Sequence, residues 1–129
     1  MTDTVPSKIL IIDDEEELRL LLRDRLLSEG FAVVEADNGL KGVDVAVSER
    51  PDLIILDLMM PIMTGEQFWA EIQHHPELKV TPLIILTAKR KYQDRYWGNS
   101  MPSQDFFSKP YRFPDLLKRI RQKLTARKP

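Results

Sequence analysis

The sequence predicts an α/β fold in which a five-stranded parallel sheet carries helices on both faces. Short apolar runs alternate along the chain with longer amphipathic segments, and the connections between them are short. Such alternation is typical of βα repeats, whose parallel strands are joined by right-handed crossovers. The natural doubly wound arrangement is the flavodoxin-like strand order 2-1-3-4-5, which places strand 1 beside strand 3 at the switch point.

The strands are predicted from apolar, β-branched runs at residues 8–12, 31–35, 53–57, 82–87 and 104–107. The third run is apolar at every position from Leu53 to Leu56 and lies between Asp52 and Pro61. A continuous apolar run of this length indicates a strand that is buried on both faces, because an alternating pattern would be expected if one face met water.

Helices are predicted at residues 15–28, 41–49, from 64 or 65 to about 75, 89–97 and 113–124. The second is expected to follow a turn at Asn38-Gly39. Apolar residues at helical spacing are expected to face the sheet, and in the first two helices they are Leu18, Leu21, Leu22, Leu26, Val43, Ala46 and Val47.

The last predicted helix has one apolar face and one basic face. The apolar face consists of Phe113, Leu116, Leu117, Ile120 and Leu124. The basic residues are expected to be solvated, and they are Lys118, Arg119, Arg121 and Lys123. Residues 125–129 are expected to fray.

Composition narrows the class of protein. The chain has 129 residues, and we expect residues 1–129 to form a single domain with no output domain. The formal net charge of −1 argues against direct nucleic-acid binding, and the lack of cysteine excludes disulfides and thiolate metal sites. No apolar stretch approaches the ~20 residues that span a membrane, and residues 1–7 do not resemble a signal peptide, so a cytoplasmic protein is expected.

Polar side chains follow three of the predicted strands. Asp13 and Asp14 come after the first strand, Asp57 ends the third, and Thr87 ends the fourth. The carboxyl ends of parallel strands meet at one edge of the sheet, where ligands bind in open α/β folds. The sequence therefore predicts that three carboxylates and a hydroxyl share one site.

The charge of this site predicts a divalent cation. Three neighbouring carboxylates repel one another, and the one clear cation nearby in the sequence is Lys109, just after the fifth predicted strand. The net excess of negative charge, together with oxygen ligands, suits Mg²⁺, which commonly binds carboxylates, water and a substrate phosphate. Such a site favours phosphoryl transfer to an aspartate, with Thr87 binding the incoming group.

Four motifs, taken together, resemble the receiver domain of two-component response regulators, whose fold is CheY-like. They are Ile-Ile-Asp13-Asp14-Glu, Leu-Asp57-Leu-Met-Met-Pro61 with Gly65, Leu-Thr87-Ala88-Lys and Lys109-Pro110. They occur in this order and cover nearly the whole chain. The resemblance implies that Asp57 is the phosphoacceptor, that Asp14 binds Mg²⁺ directly, that Asp13 assists through water, and that the Met59 carbonyl is the third protein ligand.

The resemblance also implies a switch and partners. Thr87 would be the switch hydroxyl, Phe106 the switch aromatic residue, and Lys109 the phosphate-binding cation, with a cis peptide bond to Pro110. A sensor histidine kinase or phosphotransfer protein would be the donor, and a downstream protein would read the phosphorylated surface. The protein would assist its own phosphorylation and dephosphorylation without being a conventional enzyme.

Each site residue has a plainer explanation when it is taken alone. Asp13 and Asp14 precede a helix, where acids cap and oppose the helix dipole, and a lone Lys109 would ordinarily be a solvated lysine. Thr87 is an ordinary strand residue and Phe106 an ordinary core residue. These explanations would have to coincide at one sheet edge, which favours the functional interpretation.

The same residues argue against two other functions. A flavin-binding module would need a glycine- or serine-rich phosphate loop where this chain has Asp-Asp-Glu-Glu-Glu. A haloacid-dehalogenase-type phosphatase would want a second acid at the position of Met59. A phosphorelay intermediate and a phosphorylation-independent binding module remain open as variants of the receiver interpretation.

One segment departs from the family pattern. Receivers usually carry a regular fourth helix and a small-residue turn, but residues 96–103 here contain Gly98, Asn99 and Pro102. We expect a short or irregular helix and no common dimer through this face. Two interpretations of Tyr92, Tyr96 and Trp97 stay open: they serve a specific partner, or they simply pack under the loop.

Overall fold

The computed structural model describes residues 5–60, 62–88 and 105–127, and it contains one five-stranded parallel sheet. The strand order is β2-β1-β3-β4-β5, as the sequence predicts. The strands are β1 at Lys8–Ile12, β2 at Ala32–Ala36, β3 at Leu53–Leu56, β4 at Leu83–Thr87 and β5 at Phe106–Ser108. The fifth strand therefore begins and ends later than predicted.

Four helices are described: α1 at Glu16–Ser28, α2 at Gly39–Glu49, α3 at Gly65–Ile72 and α4 at Phe113–Arg127. The expected turn at Asn38-Gly39 is wrong, because the Asn38 side chain accepts the Lys41 N–H and caps a helix that begins at Gly39. The expected fraying after Leu124 is also wrong up to residue 127, where α4 ends. The predicted helix at residues 89–97, the irregular segment 96–103, and Tyr92, Tyr96 and Trp97 lie outside the described residues.

The sheet is buried on both faces because alternate strand residues point to opposite sides. One face packs against α2 and α3 through a core that includes Leu10, Ile12, Leu56, Phe68 and Ile85. The other face packs against α1 and α4, and its core includes Ile9, Ile55, Leu26, Leu116 and Ile120. In the described residues no helix is both long and apolar enough to cross a membrane.

The leucine stripe of α1 is only half buried. Leu22 and Leu26 are 2% and 0% exposed and pack on the sheet, as predicted. Leu18 and Leu21 are 41% and 51% exposed, so their assignment to the core is wrong. They lie in the first half of the helix and line a groove that also contains Lys109. Val47 on α2 is likewise 41% exposed.

The basic face of α4 is not uniformly solvated, which corrects a second expectation. Arg119 Nε donates to Asp105 Oδ1 at 2.6 Å, and Lys123 Nζ donates to Asp105 Oδ2 at 2.7 Å. Asp105 is only 2% exposed. Two of the four basic residues therefore neutralise a buried carboxylate that directly precedes β5, whereas Arg121 pairs with Glu29 at the surface.

Candidate functional site

The three aspartates are brought together at the carboxyl edge of the sheet. One carboxylate oxygen each from Asp13, Asp14 and Asp57 lies within 4.8 Å of the others. The register explains the arrangement, because Ile12 pairs with Leu56 and the next residue of each strand enters the site. The Asp57 N–H donates to the Ile12 carbonyl at 3.0 Å, which continues the ladder into the site.

The three acids differ in their exposure. Asp13 and Asp57 are 5% and 4% exposed, whereas Asp14 is exposed to solvent. Both oxygens of Asp13 are engaged, since Oδ1 accepts the Glu15 N–H at 2.9 Å and Oδ2 accepts the Lys109 ammonium at 2.7 Å. Asp14 is thus the acid that water and small ions reach most directly.

The loop after β3 holds the Asp57 carboxylate in place. Asp57 Oδ1 accepts the backbone N–H of Met59 at 3.1 Å. Thr64 begins α3 with a capping box that includes Gln67, which fixes where the loop ends. A Cβ at Gly65 would lie 2.6 Å from the Asp57 carbonyl oxygen, so this helix can start against the strand end only without a side chain there.

Lys109 is the buried cation of the site. Its side chain is 9% exposed, and Nζ lies 2.7 Å from Asp13 Oδ2, 2.6 Å from Glu15 Oε1 and 3.5 Å from Asp57 Oδ2. The backbone N–H of Lys109 donates to the Thr87 carbonyl at 3.0 Å, which joins Lys109 to the end of β4. The Lys109-Pro110 peptide bond is cis, as the resemblance implies.

The environment shifts two pKa values in the site. Burial raises the pKa of the Asp57 carboxyl to about 6, although the Met59 N–H and the Lys109 ammonium favour its charged form. A hydrogen bond with the Thr87 side chain also lowers this pKa, and nearby Asp13 raises it. Burial lowers the pKa of Lys109, but hydrogen bonds to Asp13 and Glu15 outweigh burial and hold it above its usual value. Lys109 is therefore a permanent cation.

Thr87 and Phe106 lie on the same face of the sheet. Phe106 pairs in register with Ile85, and Thr87 pairs with Ser108. Since alternate residues share a face, Thr87 and Phe106 both point toward the side covered by α2 and α3. Thr87 is 1% exposed and Phe106 is 6% exposed. The structure thus connects the hydroxyl that contacts Asp57 to an aromatic side chain one strand away.

The donor set fits a hard divalent cation. It offers carboxylate oxygens from three residues, one of them exposed, and no sulfur or imidazole ligand in the described cluster. Met59, whose carbonyl is the expected third ligand, follows Asp57 by two residues and is 40% exposed. Among the described residues one cation, Lys109, contacts two of these acids, Asp13 and Asp57, which leaves negative charge for a metal to balance.

A family model for the response regulator receiver domain matches residues 9–121. The chain belongs to this receiver family. Receivers act in two-component signalling, and phosphorylation on an aspartate is typical of them. The family match spans every element described above from β1 to most of α4, and it includes all seven residues that the sequence assigned to the site.

Several relatives are similar along most of this receiver. The phosphate regulon transcriptional regulatory protein PhoB of Rhizobium meliloti is 37% identical over 95% of this chain and 54% of its own length. The transcriptional regulatory protein ResD of Bacillus subtilis is 37% identical over 94% of this chain and 49% of its own. The chain thus spans about half the length of these two relatives. Protein PilH of Pseudomonas aeruginosa is 34% identical over 88% of this chain and 94% of its own length.

Solved structures agree with the fold of this receiver. The chemotaxis protein CheY4 of Vibrio cholerae has a TM-score of 0.79 and 28% identity, and the match covers 92% of this chain and 98% of that one. The response regulator TrrA of Thermotoga maritima, solved in complex with Mg²⁺ and BeF, has a TM-score of 0.75 and 30% identity. That match covers 91% of this chain and 98% of TrrA.

Two residues that the sequence analysis did not single out also belong to the receiver's site. Glu15 shares the Lys109 ammonium with Asp13. Arg19 Nη1 donates to the Asp13 carbonyl at 2.7 Å, while its Nε donates to Glu35 Oε1 at 2.9 Å, so it supports the backbone of the first acid. Glu15 could have been predicted from its position directly after the acidic pair Asp13-Asp14, whereas nothing in the sequence pattern predicts a role for Arg19.

A groove of about 440 Å³ opens beside Lys109. It runs between the first half of α1 and the segment that follows β5. Its lining is largely apolar and combines the exposed leucines of α1 with an aromatic residue and the buried cation: Glu15, Leu18, Leu21, Arg25, Ala88, Lys109, Pro110 and Tyr111.

Proposed function

We propose that this receiver accepts a phosphoryl group on Asp57 in a Mg²⁺-dependent reaction and thereby switches a protein-binding surface. The observation that carries the proposal is the placement of Asp57, a buried carboxylate that lies 3.5 Å from the Lys109 ammonium and in one cluster with Asp13 and Asp14. A nucleophile needs positioning and charge neutralisation for phosphoryl transfer, and these residues supply both.

The proposed donor is a phosphohistidine of a sensor histidine kinase or phosphotransfer protein. A carboxylate oxygen of Asp57 forms the bond to phosphorus while the phosphorus–nitrogen bond of the donor breaks. The donor imidazole keeps that electron pair and takes a proton from solvent. Since the donor is charged from ATP, we place the reaction in the cytoplasm. Asp57 is consumed and later restored by hydrolysis, so the protein assists its own modification and is not a conventional enzyme.

Asp14, Asp13 and Asp57 would hold Mg²⁺ together with the Met59 carbonyl. When bound, Mg²⁺ neutralises negative charge on the acids and on the transferred phosphoryl group. Lys109 would pair with a phosphoryl oxygen, and the Thr87 hydroxyl would donate to another. Phe106, on the same sheet face as Thr87, would then respond to movement of Thr87.

The groove beside Lys109 supports a protein donor rather than a small molecule alone. It adjoins the Lys109 ammonium and carries the exposed side chains of Leu18 and Leu21. Exposed leucines of one helix that rim a cleft suit contact with a partner protein. We place the donor protein there, because its histidine must reach Asp57 from the solvent side of the site.

The decisive experiment is phosphorylation of the purified chain with acetyl phosphate and Mg²⁺, followed by intact-mass analysis. We expect one added phosphoryl group on the wild type and none on Asp57→Asn. The matched control is Asp44→Asn, which removes an exposed carboxylate from α2 and should be labelled like the wild type. Labelling that persists in Asp57→Asn would refute the assignment, and so would a wild type that accepts no phosphate from acetyl phosphate or from any kinase tested.

A further inference from the structure

Glu15 occupies an unusual position at the start of α1. It is the N-cap residue of the helix, a place where serine, threonine, aspartate and asparagine are preferred because their short side chains bond the first N–H groups. The Glu15 side chain makes no such bond. It extends instead to Lys109, where its Oε1 accepts the ammonium at 2.6 Å. The exposed Glu15 side chain therefore does not bond the helix N–H groups and instead forms an ion pair with the cation of the site.

The Lys109 ammonium is divided unequally among three carboxylates. Its distances to Glu15 and Asp13 are 2.6 and 2.7 Å, while its distance to Asp57 is 3.5 Å. An ammonium group has three N–H donors, and the two short bonds go to carboxylates other than the proposed acceptor. A phosphoryl group on Asp57 would therefore have to draw Lys109 away from existing ion pairs.

We infer that Glu15 is a positioning residue that competes with the phosphoryl group for Lys109 and so lowers the affinity of the site for phosphate. The inference rests on the proposed function, because it concerns the strength with which the same site holds its ligand. Asp13 cannot play this part alone, since it is buried beside Asp57 and is an expected partner of the metal. Glu15 has a side chain that is 54% exposed, so its carboxylate can leave Lys109 and be solvated at little cost.

The same exposure limits the size of the effect. Half-exposed ion pairs contribute weakly, so we expect removal of the Glu15 charge to strengthen phosphate binding by only about two- to fivefold. The effect should appear in binding and in phosphorylation rate but not in folding stability.

The test compares Glu15→Gln with Glu16→Gln. Both variants remove one negative charge from the first residues of α1, but within the described structure the Lys109 ammonium is bonded to Glu15 and not to Glu16. Two measurements are made on the full chain: the affinity for beryllofluoride at saturating Mg²⁺, and the initial rate of labelling by acetyl phosphate. Beryllofluoride mimics the phosphoryl group by coordinating reversibly to the acceptor carboxylate, and no hydrolysis follows, so its binding reports on the site independently of turnover.

We expect Glu15→Gln to exceed Glu16→Gln in both measurements by about two- to fivefold, because only the first variant releases Lys109. In a Lys109→Ala background the two variants should become indistinguishable, which a purely structural role of Glu15 would not produce. Equal behaviour of the two variants in the presence of Lys109, or weaker binding by Glu15→Gln, would overturn the inference. A wild type that binds no beryllofluoride and takes no label would instead refute the proposed function.

Discussion

Arg119 donates its Nε–H to the carboxylate of Asp105 at 2.6 Å, and this contact ties α4 to the start of β5. Asp105 is 2% exposed, and the Arg119 side chain is 18% exposed, so the pair is largely removed from water. Lys123 completes the neutralisation at 2.7 Å. Because Asp105 directly precedes Phe106, the ion cluster fixes the start of the strand that carries the proposed switch residue.

Removal of the arginine should therefore destabilise the fold. We expect Arg119→Met to lower the free energy of unfolding by about 2–4 kcal/mol, because it removes one of the two cations that pair with this buried carboxylate among the described residues. The control is Arg121→Met, which removes a surface pair with Glu29 and should cost about 1 kcal/mol or less. Urea denaturation of both variants provides the comparison. Equal losses of unfolding free energy would show that the buried pair stabilises the fold no more than the surface pair does.

Asp57 should itself destabilise the folded, metal-free protein at neutral pH. Its pKa rises from 3.8 to about 6 on folding, so the folded state binds this proton more tightly than the unfolded state. Stability is then lost as the pH rises from about 4 to about 6, and the penalty is fully present above that range. We expect Asp57→Asn to raise the free energy of unfolding at pH 7 by about 1–3 kcal/mol.

The pH dependence provides the check on that prediction. The advantage of Asp57→Asn over the wild type, measured by denaturation in chelator-treated buffer, should shrink below pH 6 and disappear near pH 4. An advantage that is constant from pH 4 to pH 7 would contradict the pKa shift as its cause. Asp44→Asn, at an exposed position of α2, serves as the comparison.

Asp14 should dominate metal binding without supporting the fold. It is the exposed member of the acidic cluster, and its carboxylate lies within 4.8 Å of those of Asp13 and Asp57. We expect Asp14→Ala to weaken Mg²⁺ binding by about tenfold or more, since a direct ligand matters at least as much as its supporting groups. Stability should change by about 0.5 kcal/mol or less, as for other exposed substitutions.

Calorimetric titration with Mg²⁺ measures this effect, with Glu17→Ala as a control for the loss of one negative charge nearby. If Asp14→Ala and Glu17→Ala bind Mg²⁺ equally well, Asp14 contributes only long-range charge.

The order of the sheet and the meeting of Asp13, Asp14 and Asp57 followed from the sequence. Continuous apolar runs identify strands that are buried on both faces, and the alternation of strands with helices fixes a parallel sheet. Once the strands are parallel, residues that follow them must share one edge. The local sequence pattern was enough for these predictions. The strands were identified from neighbouring residues, and their order followed from a topological rule.

Element ends were less predictable. Asn38 and Gly39 resemble a turn in sequence, yet they cap and begin α2, because the same short polar side chain serves both structures. Helix α4 continues to Arg127, since no glycine or proline stops it earlier.

The tertiary structure alone decided how the charges pair and which apolar residues are covered. Helical spacing placed Leu18 and Leu21 on the same apolar face of α1 as Leu22, but spacing alone does not predict which part of that face packs on the sheet. Arg119 and Arg121 are both arginines of α4, yet only Arg119 is bonded to the buried Asp105, which lies 14 positions earlier in the chain. The contact between Glu15 and Lys109 spans 94 positions. Pairing over such separations depends on where the folded backbone places each side chain, and no local pattern carries that information.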